Sequence, residues 1–267
     1  MIAIVDYDTG NICSVTNALK RVGCTDWVYT DDKEILIKAD KVILPGVGEA
    51  STAMAKLAER GLDTFIPTLT QPVLGICVGT QLMCQSSEEG NVDCMGIFRT
   101  KVKKFQTHPN GSQTRLLGAD KPAAVATYDK PRAEISSLNL CRGAEKENCK
   151  LTDALSHRPC EGGNSVIAHQ SPLPCREGWG GSPKVPHMGW NQITDLRTPL
   201  FKDVDEGAYI YYVHSFYPEL CEDTIATTQY INAFSGALGR DNFFGTQFHP
   251  EKSGAVGAQI IKNFLEL

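Results

Sequence analysis

No stretch of the 267-residue chain approaches the ~20 consecutive apolar residues that a membrane-spanning helix needs. The amino terminus, Met1-Ile2-Ala3-Ile4-Val5-Asp6, lacks the basic start of a secretory leader and reaches a carboxylate within six residues. Charge of one sign is lacking as well: the net charge of −5 gives no general attraction to nucleic acid or to an anionic membrane. Neither a GxGxxG nor a GxxxxGK[ST] phosphate loop is present. The ten cysteines show no paired spacing, so free thiols in a reducing compartment are expected rather than a disulfide framework. These absences point to a cytoplasmic globular protein with no nucleic-acid partner and no membrane.

What is present in the first hundred residues is alternation. Ile2–Asp6, Trp27–Tyr29, Lys41–Leu44 and Pro72–Ile76 read as strands. Ile12–Val22, Thr52–Glu59, Leu62–Leu69 and a segment opening at Thr80–Gln85 read as helices. Apolar strands alternating with helices predict a parallel α/β sheet covered by helices. Later segments are β-rich with little helix between them: Gly96–Phe105, Tyr209–Val213, Thr224–Tyr230 and Phe243–Phe248. Val256–Leu265 reads as a closing amphipathic helix.

Residues 107–184 break the pattern. These 78 residues hold only eleven Leu, Ile, Val or Phe but seven of the fourteen prolines. Such a segment buries too little to offset the entropy of ordering it. The expectation is a loop-like or disordered insertion between 1–106 and 185–267, which together make one domain. Cys141, Cys149, Cys160 and Cys175 are separated by seven, ten and fourteen residues, unlike a zinc knuckle, so no metal site is expected.

Three segments carry chemistry. In "VLGICVGTQLMC" (Val73–Cys84) an apolar run turns at Gly75-Ile76-Cys77-Val78-Gly79. That is the form of a nucleophile elbow, with small residues flanking a strained strand-to-helix turn. A helix start beneath Cys77 favours a thiolate and offers donors to an oxyanion. A cysteine there can also simply pack. In "GTQFHPEKSG" (Gly245–Gly254) a strand leads to His249, and Glu251 follows two residues on. A histidine can take the thiol proton and return it to a leaving amine, while the carboxylate fixes its tautomer. In "ILPGVGEA" (Ile43–Ala50) the glycines around Val47, Gly46 and Gly48, free the backbone to aim N–H groups at an oxyanion.

These segments, in this order, resemble the class I (triad) glutamine amidotransferase family, through the Cys-x-Gly-x-Gln of Cys77–Gln81 and His249-Pro250-Glu251. "DYDTGNICSV", "PHMGWN" and "VHSFY" resemble the branch that serves a separate cyclase subunit in histidine biosynthesis. The resemblance implies an α/β fold: a parallel or mixed sheet flanked by helices, with a smaller antiparallel β portion. It implies that L-glutamine is hydrolysed through a Cys77 thioester, with His249 and Glu251 completing the triad and the Gly46–Gly48 strand holding the oxyanion. Gln81, Glu89, Ser215 and Phe216 would hold glutamine, without any cofactor. Ammonia would pass to a (β/α)₈ cyclase subunit in a heterodimer, with Asn11, Trp190, Tyr211 and Lys252 at the interface. Family members run quickly from the strand near Phe105 to the PHMGWN segment, so the insertion is a departure. Three other readings remain open from sequence: a glutaminase for a different synthase, a variant made unproductive by the insertion, and a stand-alone thiol hydrolase.

Overall fold

The computed structural model describes residues 1–8, 12–106 and 184–267. The expected insertion therefore lies outside the described residues, apart from Lys184, and so does Asn11.

A seven-stranded sheet organises the chain. Its order is β11 (Thr224–Gln229), β12 (Ala233–Arg240), β13 (Phe243–Thr246), β4 (Val73–Ile76), β3 (Lys41–Leu44), β1 (Ile2–Val5) and β2 (Trp27–Thr30). β13, β4, β3, β1 and β2 run parallel, and β11 and β12 add an antiparallel edge. β1 and β4 are buried along their whole length, which is why they read as unbroken apolar runs. α1 (Ile12–Arg21) packs against α5 (Gly254–Glu266), and α3 (Ala50–Glu59) against α4 (Val78–Leu82). α2 (Lys33–Lys38) is capped by Asp32, whose carboxylate accepts from the N–H groups of Glu34 and Ile35. A four-stranded sheet of β10 (Phe216–Pro218), β7 (Lys101–Lys104), β5 (Ser86–Ser87) and β6 (Val92–Asp93) and a hairpin of β8 (His187–Gln192) and β9 (Tyr209–His214) form the smaller β portion. Most of its pairs are antiparallel; β5 and β7 are parallel.

Three elements differ from expectation. The helix read as opening at Thr80–Gln85 starts at Val78 and already ends at Leu82. Leu62–Leu69 forms only a 3₁₀ turn at Ile66–Thr68, because Pro67 has no N–H with which to continue a helix. Within Gly96–Phe105 only Lys101–Lys104 pairs as a strand. Gly96 and Phe98 instead donate their N–H groups to the Cys84 and Met83 carbonyls, wrapping the chain around the end of α4.

Register decides what meets at the sheet edge. Ile76 pairs with Thr246 and Gly75 with Leu44. The next residues of the three strands, Cys77, Gln247 and the Pro45-Gly46 turn, leave from the same carboxyl edge, where open α/β sheets place their sites.

Candidate active site

Cys77 sits at φ 53°, ψ −110°, a conformation that a residue with a Cβ adopts only when its surroundings force it. Its own N–H donates to Thr246 O at 2.7 Å, and its carbonyl accepts from the N–H groups of Thr80 and Gln81. The Thr80 hydroxyl lies 3.0 Å from Gly75 O and 2.9 Å from Thr246 O. Both ends of the turn are thus tied to the central strands. Because α4 has only five residues, its dipole is short, and the side chains around the sulfur carry more of the electrostatics.

Those side chains come from the segment after β13. His249 is 3% exposed and lines the same cavity as Cys77, whose sulfur acts electrostatically on its imidazole. Its Nδ1 lies 2.7 Å from Glu251 Oε1. Burial opposes a charged imidazole, but the Cys77 sulfur and the Glu251 carboxylate together outweigh it and raise the pKa to about 10. Ionisation of the sulfur therefore favours the imidazolium, which carries the proton that the thiol gives up. The turn carrying His249 and Glu251 is anchored on both sides. His249 N–H donates to Tyr211 O at 3.0 Å, and the Ser253 hydroxyl donates to His249 O at 2.7 Å. Arg21, at the end of α1, donates to Glu251 O at 2.9 Å.

A cavity of about 340 Å³ opens over the sulfur, lined in part by Gly46, Val47, Gly48, Gln81, Glu89, Ser215, Phe216 and Lys252. Cys77 and His249 also line it, so it brings two residues of the expected triad together with the expected oxyanion and glutamine-binding residues, while Glu251 lies behind His249 and outside the lining. The Pro45–Gly48 segment is held by Tyr7, whose buried hydroxyl donates to Pro45 O. Gly46 lies directly on the elbow, and a Cβ there would stand 2.0 Å from Gly79 N. Gly48 has φ +91°. Glu89 accepts from Ala50 N–H at 3.0 Å, and burial raises its pKa. Gln81 is 2% exposed and donates to Phe216 O and Gln247 Oε1, and its Oε1 has no partner among the described residues.

Of the expected interface residues, Trp190 and Tyr211 face each other across the β8–β9 hairpin with ring centroids 6.0 Å apart. Lys252 lines the cavity. Sequence reasoning missed Gln247, His187 and His214. All three stood inside quoted motifs, but only the fold brings them to the site. Among the described residues no cluster of His, Cys, Asp or Glu could hold a metal, and no helix is long and apolar enough to cross a membrane.

Comparison with known proteins agrees with this geometry. The family model "Glutamine amidotransferase class-I" matches residues 3–267. An "Imidazole glycerol phosphate synthase subunit HisH" of Bacteroides fragilis is 44% identical over 266 aligned residues, covering 100% of this chain and 99% of that protein. A protein of the same description from Bacteroides thetaiotaomicron is 41% identical, again with 100% and 99% coverage. A solved glutamine amidotransferase shares the fold, with a TM-score of 0.55 at 13% identity, covering 100% of this chain and 98% of that one. With an elbow cysteine, a buried His–Glu pair and a glycine strand converging on one cavity, and with these matches along its whole length, the chain belongs to the class I glutamine amidotransferase family.

Proposed function

We propose that this chain is the glutaminase subunit of imidazole glycerol phosphate synthase and works in the cytoplasm as a heterodimer with a cyclase subunit. The observation that carries the reading is the 44% identity over the full chain to a protein of that description. The buried Cys77–His249–Glu251 constellation supports it.

The geometry supports the following chemistry. Cys77 Sγ attacks the carboxamide carbon of glutamine, its proton having passed to His249 Nε2. Negative charge develops on the amide oxygen, and N–H groups of the Gly46–Gly48 strand stabilise it. His249 returns the proton to the departing nitrogen, and ammonia leaves a glutamyl thioester. His249 then takes a proton from water, which attacks the thioester and frees glutamate. Glu251 holds Nδ1 so that Nε2 faces the sulfur throughout. Gln81, Glu89, Ser215 and Phe216 form the substrate pocket. Ammonia travels through a channel to the cyclase, which converts a phosphoribulosyl formimino carboxamide ribotide into imidazole glycerol phosphate and an aminoimidazole carboxamide ribotide. Trp190, Tyr211 and Lys252 face that partner, beside Met188, which is 62% exposed on β8. Relatives of that description disfavour an acceptor other than the histidine-pathway cyclase.

The test is to mix the chain with a cyclase subunit and measure glutamate release with and without the cyclase ligand. Glutamate release is expected to rise strongly only with both present. Equal turnover without the cyclase would point to a stand-alone thiol hydrolase.

The triad predicts its own reactivity pattern. Iodoacetamide labelling of Cys77 against pH should change form in His249→Ala, because the imidazolium that accompanies the thiolate is removed. Identical profiles would rule out the pair. Glu251→Gln should reduce turnover less than His249→Ala, since it removes the orienting group and keeps the proton carrier.

We also infer that residues 107–184 are an insertion without catalytic residues. β7 ends opposite β10 at Lys104–Phe216, and β8 begins opposite β9 at His187–His214. The chain thus departs and returns at points two residues apart along one continuous stretch. A short glycine-serine linker from Gln106 to Val185 should give a chain that melts near the parent temperature and hydrolyses glutamine with the cyclase. A shortened chain that does not fold would show that the segment contributes to the core.

A further inference from the structure

A line of hydrogen bonds runs from the β8 hairpin to the sulfur of Cys77, and the backbone partners of Asn191 and the Phe216 carbonyl orient the groups in it. Asn191 begins the line. Its Oδ1 accepts from Gln192 N–H at 2.8 Å and its Nδ2 donates to Gln229 O at 3.0 Å, so the amide can face only one way. The same Nδ2 lies 3.2 Å from His187 Nε2, which must therefore accept. His187 then carries its proton on Nδ1 and donates to His214 Nε2 at 2.9 Å. His214 in turn carries its proton on Nδ1 and donates to Phe216 O at 2.8 Å. Both rings are neutral in this arrangement. Burial holds His187 down to about 4 and His214 down to about 3, in agreement with it.

Phe216 O is shared. It also accepts from Gln81 Nε2 at 3.0 Å, which settles the orientation of the Gln81 amide. The same Nε2 donates to Gln247 Oε1 at 2.9 Å. Gln247 is thereby left with its Nε2 toward the elbow, 3.7 Å from Cys77 Sγ. It is fully buried. An amide N–H held there costs no reorganisation when sulfur becomes anionic, and a donor to an ion is among the stronger hydrogen bonds.

We propose that Gln247 is a further catalytic residue whose Nε2–H stabilises the Cys77 thiolate, and that the His187–His214 pair is a positioning unit that fixes this donor through Phe216 O and Gln81. Once the thiol proton is on His249, the sulfur has a donor on two sides, His249 and Gln247. The proposal rests on Cys77 being the nucleophile. The other titratable groups facing the sulfur or its partner are Glu251 behind His249, His214 from β9, and Glu89 and Lys252 in the cavity lining.

The experiment is iodoacetamide labelling of the full chain across pH, read by mass spectrometry of the Cys77 peptide. It needs no glutamine turnover. Cys77→Ala retaining glutaminase would overturn the nucleophile assignment, while the labelling result judges the donor by itself. In Gln247→Leu the midpoint should move upward and labelling at neutral pH should slow by about tenfold. Gln247→Met, which keeps the length without the donor, should behave alike. His187→Phe keeps a ring between Tyr212 and Tyr230, which stack on His187 at 4.7 and 3.9 Å, but cannot donate to His214. It should shift the midpoint in the same direction by a smaller amount, whereas a purely structural role would lower only the melting temperature. A folded Gln247 variant with the parent midpoint overturns the donor, and an unmoved midpoint in His187→Phe overturns the positioning unit. In the unsubstituted chain the Gln247 side-chain amide proton resonance should move as Cys77 ionises. A resonance that ignores the titration overturns the proposal even if no Gln247 variant folds.

Discussion

Cys77→Ala is expected to lower glutamine hydrolysis by at least about a thousandfold, since removing one member of a unit of this kind removes nearly all its function. The fold should survive, because the turn is tied by backbone hydrogen bonds from Cys77 to Thr246, Thr80 and Gln81 and not by the thiol. Ammonia supplied directly should still support the cyclase reaction in the mutant complex, because only its generation is lost. Glutamate release by Cys77→Ala at more than a few per cent of the parent rate would refute the assignment. A companion variant separates chemistry from strain. Alanine keeps the Cβ that is unfavourable at φ 53°, and glycine does not. Cys77→Gly should therefore be equally inactive but more resistant to urea than Cys77→Ala, by about 1 kcal/mol after the extra chain entropy of glycine is counted. Equal midpoints would mean that the turn stores no strain at this residue.

Gly79→Ala is expected to be, with Gly46→Ala, among the most damaging single-methyl changes in the site. The added Cβ would stand 2.0 Å from Leu44 O and 3.0 Å from Leu44 C, both backbone atoms of the neighbouring strand. Gly46 makes the reciprocal approach to Gly79. No rotamer change relieves a backbone clash, so either β3 or α4 has to move. The expected result is a loss of about 3 kcal/mol or more, or no folding at all. In any folded fraction glutaminase activity should fall as well, because the carboxyl end of β3 carries the Gly46–Gly48 segment over the sulfur. Gly48→Ala is the contrast: nothing lies within 4 Å of its Cβ, and only the positive φ resists, at about 1–2 kcal/mol. Denaturant unfolding of the two variants measures the difference. Gly79→Ala unfolding like the parent chain would show that β3 and α4 are not in contact as described.

The sequence alone determined the strands of the parallel sheet, since buried strands read as apolar runs, as at Ile2–Val5 and Val73–Ile76. It also marked Cys77, His249, Glu251 and Gly46–Gly48, because an elbow, a post-strand histidine and a glycine pair are local patterns. Short pieces stayed hidden. β5 and β6 are two residues each, too short to show a period, and the Leu62–Leu69 helix failed at Pro67. Only tertiary structure decided how residues distant in the chain meet. Gln247 lies 170 positions from Cys77 and reaches its sulfur because β13 runs beside β4 in a fixed register. His187 and His214 become a neutral pair because β8 and β9 place them opposite each other in a buried aromatic cluster. Local sequence carries propensity and periodicity. The protonation of a ring and the direction of an amide depend on partners that only the folded sheet supplies.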